Sequence, residues 1–338
     1  MKTKKTKRHS ARATLLLLLL FSVILLSSSY AWFTANQTVT ISQLEVNVAA
    51  QGGLQISADG SKWSALVNKS DLVTAASTYS DLINQFPSAL EAVSTAGNVT
   101  DGKMDMFAGT VLADENTGIY ELTAEKQTEV TGTTGKFIAF DIFFKVEKAT
   151  NIELTSKSGV KLKSGSTSQG IQNAARVAFL VQGTKPDGTA LSTIQKQNGA
   201  TTASGRYIWE PNYDVHTAAA TQAALGTYGL TISETDEERI SYDGVKATIT
   251  DGISIADAKA TGANTAYFAT TPLEYSTTAA FGTNVTDAQA IFQLPAGITK
   301  VRVYMWIEGQ DVDCENNASG ADITFDMQIK RSATQPSA

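Results

Sequence analysis

The chain has 338 residues, with 27 basic and 33 acidic side chains, a formal charge of −6 and one cysteine. A single cysteine, Cys314, excludes an intrachain disulfide, and the acidic balance excludes the broad basic surface that nucleic acid demands of a partner. Two histidines, one of them His9 near the start, leave His216 alone for imidazole chemistry further along.

At the amino end Lys2, Lys4, Lys5, Lys7, Arg8 and Arg12 precede Leu15 to Leu26, a run of 12 residues without charge. A basic segment followed by a short apolar one is the pattern of an export signal, and the run is shorter than the roughly 20 residues a spanning helix needs. Ser29 and Ala31 then occupy the −3 and −1 positions of a small-x-small cleavage site, with Trp32 as the new first residue. The alternative is a retained signal anchor from Thr14 to Phe33, with Tyr30, Trp32 and Phe33 at the membrane interface. In both readings the basic end stays cytoplasmic and everything after Phe33 is delivered outside. Residues 1–31 carry six basic side chains and no acid, so removing them takes the charge from −6 to −12.

The next segment, TVTISQLEVNV (38–48), alternates as a strand. Val39 and Ile41 share one phase and Leu44, Val46 and Val48 another, so a bulge is expected near Ser42 and Gln43. A strand this close to a free end belongs either to its own sheet or to the open edge of another subunit, where these five residues would fill pockets. GLQISADGSKWS (53–64) reads as a hairpin. After Ser70, a suitable cap, Leu72, Ala75, Ala76, Tyr79, Leu82, Ile83 and Phe86 recur at three and four, which predicts a helix ended by Pro87. A second short helix is expected over Ala89 to Ser94.

IAFDIFFKV (138–146) sets Ile138, Phe140, Ile142, Phe144 and Val146 opposite Asp141 and Lys145. Between 184 and 290 the chain is rich in Thr, Ala and Gly, and only HTAAATQAAL (216–225) reads as a helix. VRVYMWIE (301–308) and ITFDMQIK (323–330) complete the clear strands. The first is expected to point Arg302, Tyr304, Trp306 and Glu308 to solvent, with Tyr304 and Trp306 available as a stacking platform for a glycan. Asp-Gly pairs at 59–60, 101–102, 187–188, 243–244 and 251–252 suggest turns.

No motif for a zinc hydrolase, a serine nucleophile or a phosphate-binding loop is present, and the chain reads as non-enzymatic. The most informative polar stretch is EGQDVDCENNASGAD (308–322). Asp311, Asp313, Glu315, Asn317, Ser319 and Asp322 fall at the spacing of a calcium loop, although Asn316 stands where such loops turn on glycine and strands flank it. The other reading is a solvated hairpin loop that needs no cofactor.

SYAWFT, followed at once by ISQLEVNVAA and GGLQISADG, resembles exported proteins of the TasA/camelysin type with a SipW-type signal peptide. FIAFDIFFKVEKATNIELTSKSG and ITFDMQIKRS resemble strands of the same proteins. The resemblance implies a jelly-roll-like antiparallel β-sandwich with inserted short helices, preceded by an N-terminal hydrophobic export helix. It further implies residence at a Gram-positive surface or in a biofilm matrix, and self-association or association with other matrix subunits by lending an N-terminal strand. The metalloprotease activity ascribed to camelysin-like members finds no histidine motif here. A surface-tethered adhesin or glycan-binding module is the alternative, and a surface hydrolase built on paired carboxylates is a third.

Overall fold

The computed structural model describes residues 38–48, 54–79, 82–155, 157–163, 170–200, 205–228, 231–232, 242–270, 290–314 and 322–332. The proposed export signal and cleavage pair, Ala31 and Trp32, lie outside the described residues. The fold is mainly β, with largely antiparallel sheets.

One group of strands is built on β18 (Gly297–Glu308), which lies antiparallel to β12 (Ala175–Lys185) on one side and β9 (Ile138–Val146) on the other. β13 (Arg206–Trp209) extends the group beyond β12, and β2 (Gln55–Ser57) extends it beyond β9. A second group is built on β1 (Thr38–Val48) and β19 (Asp322–Arg331), which run parallel. β3 (Leu66–Asn68) and β4 (Ala89–Val93) pair antiparallel with β1. β10 (Thr150–Leu154) and β11 (Gly159–Leu162) pair with β19, and β17 (Ala290–Leu294) extends β10. β4 joins the two groups: Ala89 to Glu91 bond to β1, whereas Ala92 and Val93 run parallel beside Ile307 and Glu308 of β18.

The period-two pattern explains the main core. Phe140, Phe144, Phe179, Val303 and Met305 from the first group meet Ile152, Phe292, Phe325 and Met327 from the second in one buried cluster. Each such side chain contributes roughly 1.5–3 kcal/mol by leaving water. The opposite face of β9, β12 and β18 is covered as well. Ala139, Ala178, Tyr304 and Trp306 pack there against Val93, Met104, Met106 and Phe137. Every residue of β18 is therefore buried, and Tyr304 and Trp306 form no exposed platform.

The cover comes from small units. β5 (Val99–Thr100) and β6 (Lys103–Met104) form a hairpin that turns at Asp101 and Gly102, both at positive φ. β7 (Phe107–Ala113), β8 (Tyr120–Lys126) and β15 (Ile249–Ser254) make a three-stranded sheet, and β14 (Asp243–Val245) pairs with β16 (Phe268–Thr270). Asp243-Gly244 is thus strand rather than turn. A Cβ on Gly244 would stand 2.0 Å from the Thr95 carbonyl oxygen, so glycine there permits backbone contact. Asp251-Gly252 likewise lies inside β15, at a register shift between Ile249 and Ile253.

Among the described residues three α-helices occur, all short: α1 (Lys69–Ala75), α2 (Leu191–Gln195) and α3 (Ala218–Ala223). α3 matches its expectation, with the Thr217 hydroxyl accepting from the Ala220 N–H at 3.0 Å. α1 differs from the expected helix. Its cap is Asn68, whose N–H donates to Asp71 at 2.9 Å, and it stops at Ala75 instead of reaching Phe86. Gln85 exchanges both backbone bonds with Ala139 at 2.7 and 3.1 Å, while the Asn84 side chain donates to Leu72 O at 2.7 Å. Pairing beside β9 therefore overrides the helical period, and Leu82 and Phe86 are buried without a helix. The second expected helix, Ala89 to Ser94, is β4 for the same reason: it bonds to strands on both sides. Among the described residues no helix is long and apolar enough to cross a membrane.

Candidate functional site

Two features carry residues singled out in the sequence: the first strand and the acidic stretch after β18. In β1 the register places Ile41 beside Ile323, then Gln43 beside Thr324, so Ser42 is the extra residue of a bulge. Beyond it Leu44, Val46 and Val48 align with Phe325, Met327 and Ile329, which are buried. Val39 aligns with Leu90 of β4. The bulge brings both phases of the apolar pattern into register with the buried residues of β19, which is the physical reason for the slip. Within this chain, β1 fills a central place between β4 and β19 of its own sheet.

The acidic stretch begins at Glu308, the last residue of β18, and the chain turns inward. Asp311 and Asp313 are 4 % and 1 % exposed, far from the solvated loop expected of their sequence. Asp311 forms an ion pair with Arg176 of β12, a guanidinium with no exposure at all. Arg176 also pairs with Glu210 at 3.0 Å, donates to the carbonyls of Ala175 and Asn173, and lies over the Tyr242 ring at 5.4 Å. Asp313 accepts from His216 Nδ1 at 2.8 Å, and its own N–H donates to Asp311 at 2.7 Å. Glu308 accepts from Trp306 Nε1 at 2.9 Å and from the Gln310 N–H at 3.0 Å. Glu315, Asn317 and Ser319 lie outside the described residues. Asp322 opens β19 and pairs with Lys163 at 3.8 Å.

Four carboxyl groups, one arginine and one histidine thus share a dry site. Their charges cannot all be expressed, because each unpaired anion would face the full cost of desolvation. Burial pushes Glu210 up to about 8, against the pull of Arg176, and the anions of Asp311 and Asp313 add to the rise. Burial also takes Glu308 to about 7 and Asp313 to about 6. For His216 burial opposes the charged ring, but the hydrogen bond and charge of Asp313 outweigh it and the imidazole is raised. Glu210 Oε2, Asp313 Oδ1 and His216 Nε2 are buried atoms without a hydrogen-bond partner. Chemically the cluster favours holding protons, and these three buried polar atoms are left unsatisfied within it.

No family model matches the chain, and neither a curated protein nor a solved structure matches it. Function must therefore be argued from the residues themselves. Among the described residues no set of three or more histidine, cysteine, aspartate and glutamate side chains is arranged to hold a metal ion. Cys314 is buried against the main core.

A second ionic cluster lies on the same covered face of β18. Arg302 donates to Asp141 at 2.8 Å, to Glu129 at 2.6 and 3.2 Å and to Ile83 O at 2.8 Å. Tyr304 donates to Glu129 at 2.6 Å, and Lys300 pairs with Asp141 at 2.9 Å. Burial alone would raise Asp141, yet Arg302 and Lys300 hold it below the usual carboxylate range. Alternation in the sequence assigns Arg302, Tyr304 and Asp141 to solvent, and the structure places all three inside. The available signal is an arginine set among apolar residues in VRVYMWIE, and again Arg176 in ARVAFLV, where a buried partner is as consistent with the pattern as water.

Proposed function

We propose that the chain is a non-enzymatic structural protein of the cell surface or extracellular matrix, exported by its N-terminal segment and self-associating by exchange of its first strand. The observation that carries this reading is β1, which is joined to the body by register with β19, β3 and β4 and directly follows the proposed cleavage site. An identical strand from a neighbour would satisfy the same bonds, so exchange requires no new interface. The shared core between the two strand groups supports a jelly-roll-like sandwich as the body, as in the TasA-like proteins that the sequence resembles. Before cleavage, or without it, the apolar segment would hold the chain in the membrane. Electron microscopy of purified protein lacking residues 1–31 is expected to show fibres. Particles that stay monomeric at every concentration, pH and calcium level would rule out assembly. The glycan-binding alternative loses its original platform, since Tyr304 and Trp306 are buried.

Calcium is a second reading of the acidic stretch, which rests on the spacing of Asp311, Asp313, Glu315, Asn317 and Asp322 in the sequence. Bound calcium at a hundredfold excess over its dissociation constant would add roughly 2.7 kcal/mol of stability. The calcium-dependent gain in melting temperature should vanish in Asp311→Asn with Asp313→Asn. A melting temperature indifferent to calcium and chelator would leave protons alone to balance the cluster.

A further inference from the structure

A cavity of about 320 Å³ lies between α1 and the turn that joins β2 to β3. Trp63, Leu66, Val67 and Ala75 give it an apolar wall, and its polar groups are nearly all acceptors. Thr74 and Thr78 line it, and their hydroxyl protons are already spent, on Ser70 O at 2.8 Å and Ala75 O at 2.7 Å. Each hydroxyl therefore offers the cavity lone pairs and no proton. Asp59 lines the same space and is 8 % exposed. Its Oδ1 holds the turn, accepting from the N–H groups of Ser61 and Lys62 at 2.8 and 3.0 Å and from the Ser57 hydroxyl at 3.0 Å. Oδ2 takes no backbone N–H and is not sealed from solvent. Burial raises this carboxyl, but those N–H groups and the Ser61 and Ser57 hydroxyls outweigh it, and Asp59 is held below the usual carboxylate range. Asp71, exposed at the mouth, spends Oδ2 on the Asn68 N–H at 2.9 Å and keeps Oδ1 for the cavity. Among the described residues neither carboxylate is in an ion pair, and Lys62, the one ammonium on the lining, is exposed.

Acceptors without protons, two carboxylates without a counter-ion and an apolar wall fit a ligand that donates several hydrogens, carries positive charge and has a carbon body to bury. An anion would meet like charge, and a neutral sugar would leave the charge of Asp59 uncompensated. Lys145 Nζ already lies over the Trp63 ring at 5.7 Å, so the ligand's charge belongs at the carboxylates and its carbon body against the wall. We propose that this cavity binds a primary ammonium on a compact carbon skeleton, an amino sugar or an alkyl polyamine, with the ammonium held between Asp59 and Asp71. The site does not rest on strand exchange and would serve an assembled or a monomeric chain alike.

Isothermal titration of the full chain with a glucosamine oligomer, 1,5-diaminopentane and an N-acetylglucosamine oligomer, at a pH that keeps the amines protonated, tests this. One or both amines are expected to bind, and the acetylated oligomer, which keeps the sugar and loses the charge, to bind at least about tenfold more weakly. Asp59→Asn keeps an oxygen for the turn but removes the charge and puts a donor where the open acceptor was, so amine binding should fall at least about tenfold. Leu66→Lys, at a position 44 % exposed, sets a second ammonium at the mouth and should weaken amine binding without disturbing the fold. Should Asp59→Asn fail to fold, Leu66→Lys decides alone. Which amine binds identifies the source. No binding of either amine, equal binding of the acetylated oligomer, or amine binding indifferent to either substitution in a folded chain would overturn the proposal.

Discussion

Arg176→Met is expected to lower stability by roughly 3–5 kcal/mol at neutral pH, because it strands the Asp311 carboxylate in a site without water and takes a donor from Glu210. The loss should shrink as pH falls and the stranded acids take up protons. Glu210→Gln should do the reverse of Arg176→Met. It keeps an oxygen for Arg176 but removes a group that must lose its proton above about 8. In the unchanged chain Glu210, Glu308, Asp313 and His216 all bind protons more tightly when folded than when unfolded. Their contribution is therefore complete below the unfolded values and is lost as pH rises through about 6 to 8. Asp141, held low, has the opposite sign, and its contribution is lost only as pH falls below the ordinary carboxylate range. Chemical denaturation across pH should show stability declining by a few kcal/mol as pH rises from the ordinary carboxylate range to about 8, since each tenfold difference in proton affinity between folded and unfolded chains is worth on the order of 1.4 kcal/mol. Glu210→Gln should flatten that decline. A decline identical in the variant would remove Glu210 from the account.

The same cluster shows what was legible beforehand. β9, β18 and β19 were readable as strands because their alternation is strict, and the bulge at Ser42 was readable from a slip of phase. Which faces meet water was not readable, since β9 and β18 are covered on both sides by segments distant in sequence. Met104 and Met106 cover Tyr304 and Trp306 from about 200 positions away, and no local pattern reports that. Asp311 and Asp313 stood out as oxygen ligands, but Arg176, Glu210 and His216, which meet them, are scattered between β12 and α3, far back along the chain. Spacing suggested a cation for the two carboxylates; the fold supplies them an arginine and a histidine. The failed helices over Leu82–Phe86 and Ala89–Ser94 have a related cause. A three-four pattern of apolar residues buries the same atoms in an extended segment when a free strand edge lies alongside, and the Gln85 bonds to Ala139 show that edge being used.

Deleting residues 32–48 is expected to abolish the cooperative unfolding transition of the isolated chain. β1 is bonded on both sides, and its loss opens β19 toward β3 and β4 and exposes the row of Phe325, Met327 and Ile329. If exchange is the route of assembly, a synthetic peptide of residues 32–50 should restore the transition when added in trans, with Leu44, Val46 and Val48 fixing its register. A peptide carrying Val46→Asp should fail, because that position aligns with Met327 and Val67, and an unpaired charge set there costs several kcal/mol, roughly a thousandfold in affinity. The same substitution in the full chain should reduce fibres while leaving export unaffected, since the signal is untouched. Circular dichroism and size-exclusion chromatography of the truncated chain, with and without peptide, separate the outcomes. Recovery with the native peptide alone means the slot accepts a strand from outside the chain. Aggregated protein that no peptide rescues means that β1 must be present as the sheet forms, and the strand then belongs to its own subunit.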